Sequence, residues 1–424
     1  MNYRINTIFV LLMSMLAPIE IWAGTVILNS KQPIQKQLCS KRTVYEIRSD
    51  IDLKGESLVI PYCSTLKFEG GALKNGTIKY DDTFIEGRYV IHCVCNGTIA
   101  NDIVDPRMYG ARCDGKTDDS HAIQQCVDSK KQVVFHRSTY LIEKPIVFDN
   151  QNFIVDFNFS TIKKTSKTGY NYQYEEYNFN QVPAVIIVKP HKDNTSGHIV
   201  LKNLIVEGGK VNVGIHAIWC RNLILENVRI FWATQGLVYG GFTNTFKDLT
   251  IWDSTEGFVV KDAIATLFER CFTSNCGWTI NNSKGVSMVG CSSDDYNPCY
   301  EISNSSVSMV GCTFESKGVG MIVKNSTLDV SGDFETHVYD STKELVYIKA
   351  SDNSRIVARA CIFHLNNYLK KRVPVSKCFE VFDNSDLSIN GKVIHGNDFS
   401  VKIKNNSCIV LNGDTLKDGK KYYN

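Results

Sequence analysis

Carboxylate side chains recur in short polar segments between residues 252 and 315, at spacings that suit acid–base chemistry. They occur in Trp252-Asp-Ser-Thr-Glu-Gly257, in Ser293-Asp-Asp-Tyr-Asn-Pro298, at Glu301 and at Glu315. Hydrolysis of a glycosidic bond requires two carboxyl groups about 5 to 9.5 Å apart, one a protonated acid and the other a nucleophile or base. We therefore predict the catalytic residues to be Asp294, Asp295, Glu301, Glu315 and Glu256. Solvated, turn-forming acids are the competing interpretation.

Aromatic and polar side chains near these acids have the character of a sugar-binding surface. Flat rings pack against the apolar faces of sugars. The predicted substrate-binding residues are Trp232, Trp252, Tyr296, Asp253, His216 and Lys261. Ordinary packing of the tryptophans is the competing interpretation. The cysteine spacings match no zinc site, and no metal site is predicted.

A repeat of 21 residues must position these side chains. Its units are Trp278–Cys291, Tyr300–Cys312 and Met321–Asp333, and their last residues are each 21 positions apart. Each unit contains a short apolar strand, an Asn-Ser turn, a second alternating strand and a Gly-containing corner. No unit is long enough to bury its own core, so each must stack on the next. The pattern predicts an all-β fold, a single-stranded parallel β-helix.

Alternation along the strand that begins each unit separates inward from outward side chains. The inward set is Ile215, Leu237, Phe258, Trp278, Tyr300 and Met321, and the outward set is His216, Val238, Val259, Thr279, Glu301 and Ile322. The outward set is mostly apolar, which favours docking of another element or of a subunit, as in a homotrimer. Because neighbouring coils lie about 4.8 Å apart, Asp295, Glu301 and Glu315 are expected to converge beside this strand.

One corner of the repeat is predicted to carry stacked side chains of matching type. It comprises Asn203, Asn227, Asp248, Cys271, Cys291, Cys312 and Asp333. Asn and Asp at such a corner form a structural ladder, since each can bond the backbone and its counterpart one unit along. The three cysteines are interpreted as a stack of buried thiols rather than as disulfide partners.

The segment before the repeats carries a family resemblance. Tyr109-Gly-Ala-Arg-Cys-Asp-Gly-Lys-Thr-Asp-Asp119, Ala122-Ile-Gln124, Val133-Val-Phe135 and Thr139-Tyr-Leu-Ile142 resemble the entry segment of the pectate-lyase-like superfamily. That superfamily consists of right-handed β-helices and includes polygalacturonase-like hydrolases, lyases and phage tailspikes. The resemblance implies this fold and a polysaccharide partner. Of the polygalacturonase motifs only Asp294-Asp295 has a match, which argues against hydrolysis of pectin.

A short helix is expected within the same segment. Thr117-Asp118-Asp119 supplies N-cap and first-turn carboxylates, and Ala122, Ile123, Cys126 and Val127 then fall on one helical face. Such a helix caps the N-terminal end of the solenoid, where strand edges are otherwise exposed. The predicted organisation is a signal peptide at 1–23, a small β module at 24–104 and the β-helix domain at 105–424.

Composition limits the classes of partner. A net charge of +3 among 424 residues is too small to indicate nucleic acid or an anionic membrane. Arg4, the apolar run Ile8–Ala17 and the small residue Ala23 form a secretory signal pattern with cleavage after Ala23. We expect a secreted, periplasmic or cell-surface protein without membrane insertion.

Three functions remain open from the sequence. The favoured one is a glycoside hydrolase that cleaves a polysaccharide, uronate-containing or neutral, with paired carboxylates and no cofactor. The first alternative is a polysaccharide lyase acting by β-elimination, with calcium held by an acidic cluster. The second is a non-catalytic carbohydrate-binding or surface structural protein, so whether the chain is an enzyme is left open.

Overall fold

The computed structural model describes residues 24–149, 153–190, 198–338, 345–367, 376–394 and 399–422. The predicted signal peptide lies outside these residues. The chain divides into two compact units after Ala111, whereas the boundary was predicted after residue 104. No helix in the described part of the chain is long and apolar enough to cross a membrane.

The first unit is a stack of short parallel strands. Helix α1 is Ile34–Gln37, a 3-10 turn is Pro106–Tyr109, and strands β1 to β8 are Thr25–Ile27, Val44–Ile47, Ile51–Asp52, Ser57–Val59, Thr65–Phe68, Leu73–Gly87, Ile91–Ile99 and Ile103–Val104. Strands β1, β2, β5 and β6 pair in parallel in that order. Strands β3, β4 and β7 also pair in parallel with β6. The unit is therefore built from coiled parallel strands, like the repeats that follow it.

The second unit contains the long solenoid. Its first part has helix α2 at Ser120–Asp128 and strands β9 to β16 at Asp114–Asp118, Gln132–Val134, Thr139–Ile142, Ile146–Asp149, Phe153–Lys164, Tyr170–Tyr174, Tyr177–Val182 and Ala184–Lys189. Strands β17 to β27 are Ile199–Glu207, Val213–Arg221, Leu223–Phe231, Gln235–Phe242, Thr245–Trp252, Glu256–Glu269, Phe272–Ser274, Trp278–Asn281, Lys284–Val289, Ser292–Tyr296 and Tyr300–Ser303. Strands β28 to β38 are Ser306–Ser316, Val319–Lys324, Thr327–Val338, Val346–Ser351, Arg355–Asn367, Ser376–Val381, Asp386–Ile394, Phe399–Ile403, Cys408–Leu411, Asp414–Thr415 and Lys421–Tyr422.

Each coil contributes one strand segment to each of three parallel sheets. In one coil, β24 belongs to sheet 1, β25 to sheet 2 and β26 to sheet 3. In the next coil, β27 pairs with β24 in sheet 1. The long strand β28 pairs through its first half with β25 in sheet 2 and through its second half with β26 in sheet 3. This stacking confirms the predicted parallel β-helix.

The predicted inward side chains of sheet 1 form the core. All six of them, Ile215, Leu237, Phe258, Trp278, Tyr300 and Met321, are buried. The rings of Phe258 and Trp278 stack with their centroids 3.8 Å apart. These side chains pack on their counterparts in the next coil, because a single coil cannot bury its own apolar surface.

The polar ladder is confirmed over part of the predicted corner. Asn227 Nδ2 donates to Asn203 Oδ1 at 2.9 Å, and Asn203 Nδ2 donates to Asp156 Oδ1 at the same distance. In the next coils Arg270 pairs with Asp248 at 2.8 Å. Asp156, Asn203 and Asn227 thus form a hydrogen-bonded ladder on the outside of the solenoid. Asp248 and Arg270 follow at the same corner as a separate ion pair.

The cysteines do not share that corner position. The strand register places Cys271 beside Leu249, one residue after the corner, because Phe272 pairs with Thr250. Cys271, Cys291 and Cys312 point inward and are buried, and all fifteen cysteines are free thiols. The Cys312 thiol donates to the carbonyl of Met288 in the preceding coil at 3.5 Å. The prediction of a thiol stack is confirmed, but Asp333 lies one register position further on, beside Thr313.

Helix α2 buries Ala122, Ile123, Cys126 and Val127, the four residues predicted for its apolar face. Asp119 occupies the N-cap position, but its side chain does not cap the helix. The Asp119 carboxylate accepts hydrogen bonds from the backbone nitrogens of Arg112 and Cys113, at 2.7 and 3.0 Å. Asp118 instead accepts from the Ser120 nitrogen at 3.0 Å. Asp119 thus anchors the preceding loop, and the end-capping role of the helix stays a prediction.

A hairpin formed by β14 and β15 covers part of the outward face of sheet 1. Its residues Tyr172 and Val182 pack in one apolar cluster with Val238 and Val259. The apolar outward face therefore docks an element of the same chain at these positions. A homotrimer would have to use another part of the surface.

Candidate active site

Asp294 and Glu315 lie side by side on the outer surface of sheet 3. Asp294 belongs to β26 and Glu315 to β28, and the two residues are register partners. Glu335 in β30 is the register partner of Glu315 in the next coil. Their inward neighbours Ser293, Phe314 and Phe334 are buried, so the three carboxylates face outward. We call Asp294, Glu315 and Glu335 the acidic row.

The register of the acidic row sets the distances between its members at the backbone. Neighbouring coils lie about 4.8 Å apart, so the backbones of Asp294 and Glu315, and those of Glu315 and Glu335, are separated by roughly that distance. The backbones of Asp294 and Glu335 are separated by about twice that distance. Retaining glycosidases hold their two carboxyl groups about 5 to 5.5 Å apart, and inverting enzymes about 6.5 to 9.5 Å apart. Adjacent members of the row therefore suit a retaining mechanism.

Burial raises the pKa of both Asp294 and Glu315. For Asp294 desolvation is the largest influence, and a 2.9 Å hydrogen bond from the Ser292 hydroxyl counteracts it. For Glu315 desolvation is again first, followed by the negative charge of Asp294. A raised pKa preserves the protonated form that a general acid needs. Glu315 keeps 48% of its side chain exposed, so it can reach a ligand.

Two histidines flank Glu335. His337 Nε2 lies 3.0 Å from Glu335 Oε1 and 3.7 Å from Glu315 Oε2. His364 Nε2 lies 2.8 Å from Asp333 Oδ1 and 3.8 Å from Glu335 Oε2. The imidazoles pack on either side of the Glu335 carboxylate, and the Glu335 side chain is 17% exposed. Glu335 and both histidines were not among the predicted site residues, although Glu335 follows Glu315 by one coil.

Aromatic side chains continue the acidic row along the same register line. Phe231, Trp252 and Ser274 are successive register partners, and Ser274 pairs with Asp294. The rings of Phe231 and Trp252 stack with centroids 4.9 Å apart. We call Phe231 and Trp252 the aromatic platform. The predicted residue Trp232, 41% exposed, lies beside it with its ring 5.7 Å from that of Phe231.

Two predicted acids lie at the corner that follows sheet 3. Asp253 accepts a 2.9 Å hydrogen bond from Asn275, which follows it by one coil at this corner. Asp295 pairs with Lys317 at 3.3 Å. Both have a backbone φ near +50° to +60°, the left-handed conformation that Asp and Asn adopt at tight turns. Their roles in the fold are those of corner residues beside the acidic row.

The other two predicted acids lie on sheet 1. Glu301 pairs with Lys324 at 3.5 Å and has Thr279 and Ile322 as register partners. Glu256 accepts a hydrogen bond from Gln235. Of the three acids expected to converge, Asp295 lies near Glu315, whose pKa its charge helps to raise. Glu301 does not join them, because residues 292–296 form a strand of sheet 3 rather than a loop entering sheet 1.

The remaining predicted binding residues are also dispersed. Lys261 is exposed on sheet 1 beside Asn281. The Tyr296 hydroxyl donates to the Thr255 carbonyl at 3.2 Å and bridges two coils. His216 was expected on an open groove, but it is buried beneath the hairpin.

The contacts of His216 explain this correction. Its Nδ1 lies 3.1 Å from the Tyr172 hydroxyl, and Phe179 packs edge-on against its ring. Burial lowers the pKa of His216 to about 4. The imidazole is therefore a neutral core group under the hairpin.

The acidic row does not fit a calcium site. Within the described ranges, no group of three or more His, Cys, Asp or Glu side chains is arranged to hold a metal ion. The row is linear along the solenoid, whereas calcium requires six to eight oxygens converging on one point.

The chain has a right-handed parallel β-helix fold, which is the fold that the resemblance implied. It is similar to the tailspike gp42 of Acinetobacter phage vb_AbaP_AS12, with a TM-score of 0.61 and 15% identity over 76% of this chain and 65% of that one. It is also similar to the enzymatically active domain of tailspike protein 2 from bacteriophage CBA120, with a TM-score of 0.54 and 17% identity over 74% of this chain and 52% of that one.

The chain thus spans about two thirds of the first tailspike and half of the second. No protein-family model matches the sequence, and a search of curated proteins finds no match.

Proposed function

We propose that this protein is an exported glycoside hydrolase that binds a polysaccharide along sheet 3 and cleaves it at the acidic row. The observation that carries the proposal is the single register line on which the aromatic platform, Ser274 and the acidic row follow one another. Rings that bind sugars and carboxyls at a catalytic spacing lie on one face, as an extended glycan requires. The likeness to a tailspike domain described as enzymatically active supports the proposal.

The proposed mechanism assigns different tasks to adjacent carboxyls. Glu315 donates its proton to the glycosidic oxygen as the bond to the anomeric carbon breaks. Glu335, oriented by His337, attacks that carbon and forms a glycosyl–enzyme ester. Glu315, now ionised, removes a proton from water, which displaces Glu335 and restores both groups. Desolvation and then the negative charge of Asp294 raise the pKa of Glu315, which favours its protonated form.

The test is digestion of a panel of neutral and uronate-containing glycans. We expect new reducing ends without absorbance near 235 nm, and products that retain the anomeric configuration of the substrate. Glu315→Gln should lower kcat by about 10²- to 10⁴-fold, the usual contribution of an acid–base group. Glu335→Gln removes the nucleophile and should lower kcat at least as much.

Glu301→Gln is the matched control. It changes the same side chain on the same solenoid, but on sheet 1, where Glu301 pairs with Lys324. Its kcat should equal that of the native protein. Absorbance near 235 nm would identify a lyase instead, and binding without cleavage would identify a non-catalytic carbohydrate-binding protein.

A further inference from the structure

A cavity of about 400 Å³ lies at the N-terminal end of sheet 1. Helix α2, strands β12 and β16 and the start of the hairpin each contribute side chains to it. These side chains include Gln124, Asp128, Val147, Asp149, Tyr170 and Lys189. The volume lies within the range of about 300 to 1,000 Å³ that is usual for small-molecule sites.

The cavity lies on a different face of the solenoid from the acidic row. Val147 is the register partner of Ile187, and Ile187 is the register partner of His216 on the outward face of sheet 1. Register partners in a parallel sheet point to the same side, so Val147 faces outward from sheet 1 as well. The acidic row lies on sheet 3, and the cavity is therefore a separate place for a ligand.

Hydrogen bonds and an ion pair hold the polar side chains of the cavity in position. Gln124 Nε2 donates to the Val147 carbonyl at 2.9 Å, and the Val147 nitrogen donates to Gln124 Oε1 at 2.9 Å. Gln124 Nε2 also donates to Asp128 Oδ1 at 2.9 Å. Lys189 Nζ lies 2.8 Å from Asp149 Oδ1. Two carboxylates and one ammonium group are thus oriented before a ligand arrives, which lowers the entropic cost of binding.

This lining suits the hydroxyl groups and the apolar face of a sugar. A sugar hydroxyl both donates and accepts hydrogen bonds, so it can donate to Asp128 or Asp149 and accept from Lys189. Tyr170 adds a flat ring, which packs against the apolar cluster that contains Val147. A purely apolar ligand would remove water from these charged groups and give them no hydrogen bonds in return.

We infer that this cavity is a second carbohydrate-binding site, which holds one or two sugar units. The inference goes beyond the proposed function and does not depend on it, because binding here requires no reaction at the acidic row.

The experiment is an NMR titration of the full chain with small sugars. The panel consists of the methyl glycosides of glucose, galactose, mannose and N-acetylglucosamine, together with cellobiose and lactose. Saturation transfer to the sugar protons measures binding, and we expect it to saturate for at least one of them. Tyr170→Ala should weaken this binding by about 2- to 10-fold through the loss of ring stacking. Asp128→Ala should weaken it by about 3- to 10-fold through the loss of a hydrogen bond.

Tyr177→Ala is the matched control, since it removes the same type of side chain from the other strand of the hairpin, outside the cavity. Its affinity should equal that of the native protein, and so should that of Trp252→Ala on sheet 3. Melting temperatures show whether each variant is folded. Asp128 is exposed on the helix surface, so Asp128→Ala tests the site even if Tyr170→Ala does not fold.

The outcomes separate this inference from the proposed function. No saturable binding of any sugar in the panel overturns the inference. Binding that is lost in Trp252→Ala but unchanged in Tyr170→Ala and Asp128→Ala also overturns it, because the sugar then occupies sheet 3. Saturable binding that is weakened by Tyr170→Ala or Asp128→Ala, in a protein that cleaves no glycan, supports the inference and overturns only the proposed function.

Discussion

His337 Nε2 lies 3.0 Å from Glu335 Oε1, and the two residues are two positions apart on strand β30. Alternation along a strand sends both side chains to the same face, so this contact follows from backbone geometry. The imidazole is buried, with 5% of the side chain exposed, which restricts its motion. A group held in this way can fix the direction of the Glu335 carboxylate.

We predict that His337→Ala lowers kcat by about 10- to 100-fold, because the imidazole packed 3.0 Å from Glu335 Oε1 limits the motion of that carboxylate and a misplacement of about 1 Å at a reacting group can cost about 100-fold. KM should change little, because His337 lies beneath the substrate rather than against it. His337→Gln retains a donor at similar reach and should restore part of the rate. The pH profile and melting temperature of each variant are the other readouts. An unaltered kcat in a folded His337→Ala variant would contradict the positioning role.

The pH dependence of cleavage should report the raised pKa of Glu315. A general acid acts while it is protonated, so activity is lost as pH rises through its pKa, and a raised pKa moves this loss to higher pH. Asp295 adds to the raised pKa of both Asp294 and Glu315 through its negative charge. Asp295→Asn should therefore move the alkaline limb of kcat/KM to lower pH, by about a few tenths of a pH unit at this partly exposed site.

The control for this shift is Asp253→Asn, which alters the same corner two coils away. Its pH profile should superimpose on that of the native protein. A shift to higher pH in Asp295→Asn would show that the wrong carboxyl has been assigned as the acid.

Trp252 should contribute to binding rather than to bond cleavage. Trp252→Ala removes half of the aromatic platform, and we expect KM to rise by about 2- to 10-fold, the equivalent of roughly 0.5 to 1.5 kcal/mol of ring stacking. The kcat at saturation should be nearly unchanged. Trp252→Phe keeps a flat ring and should keep most of the affinity. Titration of the glycan by calorimetry measures the loss of affinity independently. A fall in kcat with an unchanged KM would contradict a role of Trp252 in glycan binding.

The cysteines should remain reduced in the native protein. All fifteen are free, and burial raises the pKa of Cys276 and of Cys361 to about 11. Buried protonated thiols react slowly with alkylating reagents. Native protein should therefore be labelled mainly at the exposed Cys39, whereas denatured, unreduced protein should take up about fifteen labels. Intact mass spectrometry before and after reduction checks this, and a mass increase on reduction would reveal disulfides.

Export is tested at the N-terminus. In a bacterial host with secretion machinery, the mature chain should begin at Gly24, as shown by N-terminal mass spectrometry. Ala23→Arg should block processing, because the cleavage site requires a small residue. Recovery of the chain with residues 1–23 intact from the exported fraction would contradict the signal peptide.

Several features of the fold were predictable from particular residues. The 21-residue interval and the alternation around Trp278 and Tyr300 determine which side chains point inward, because every coil must present its apolar set to the same axis. The same regularity predicted the stack of Cys271, Cys291 and Cys312. The choice of Asp294 and Glu315 as candidate acids also came from the sequence.

Other features required the structure. The sequence assigned Asp294 to a loop, and only the register between β26 and β28 shows that it lies on a strand beside Glu315. Nothing local indicated that the hairpin of β14 and β15 folds back over His216, because that contact joins residues 44 positions apart in the sequence.

The sequence by itself determined the coil, since a fixed repeat with period-two alternation allows one way to bury the apolar side chains. Only the tertiary structure decided which outward face carries the acidic row. The corners and insertions between strands vary in length, so the alignment of one coil upon the next is set by packing and hydrogen bonding between coils. Glu335, His337 and the aromatic platform become one surface through that alignment alone.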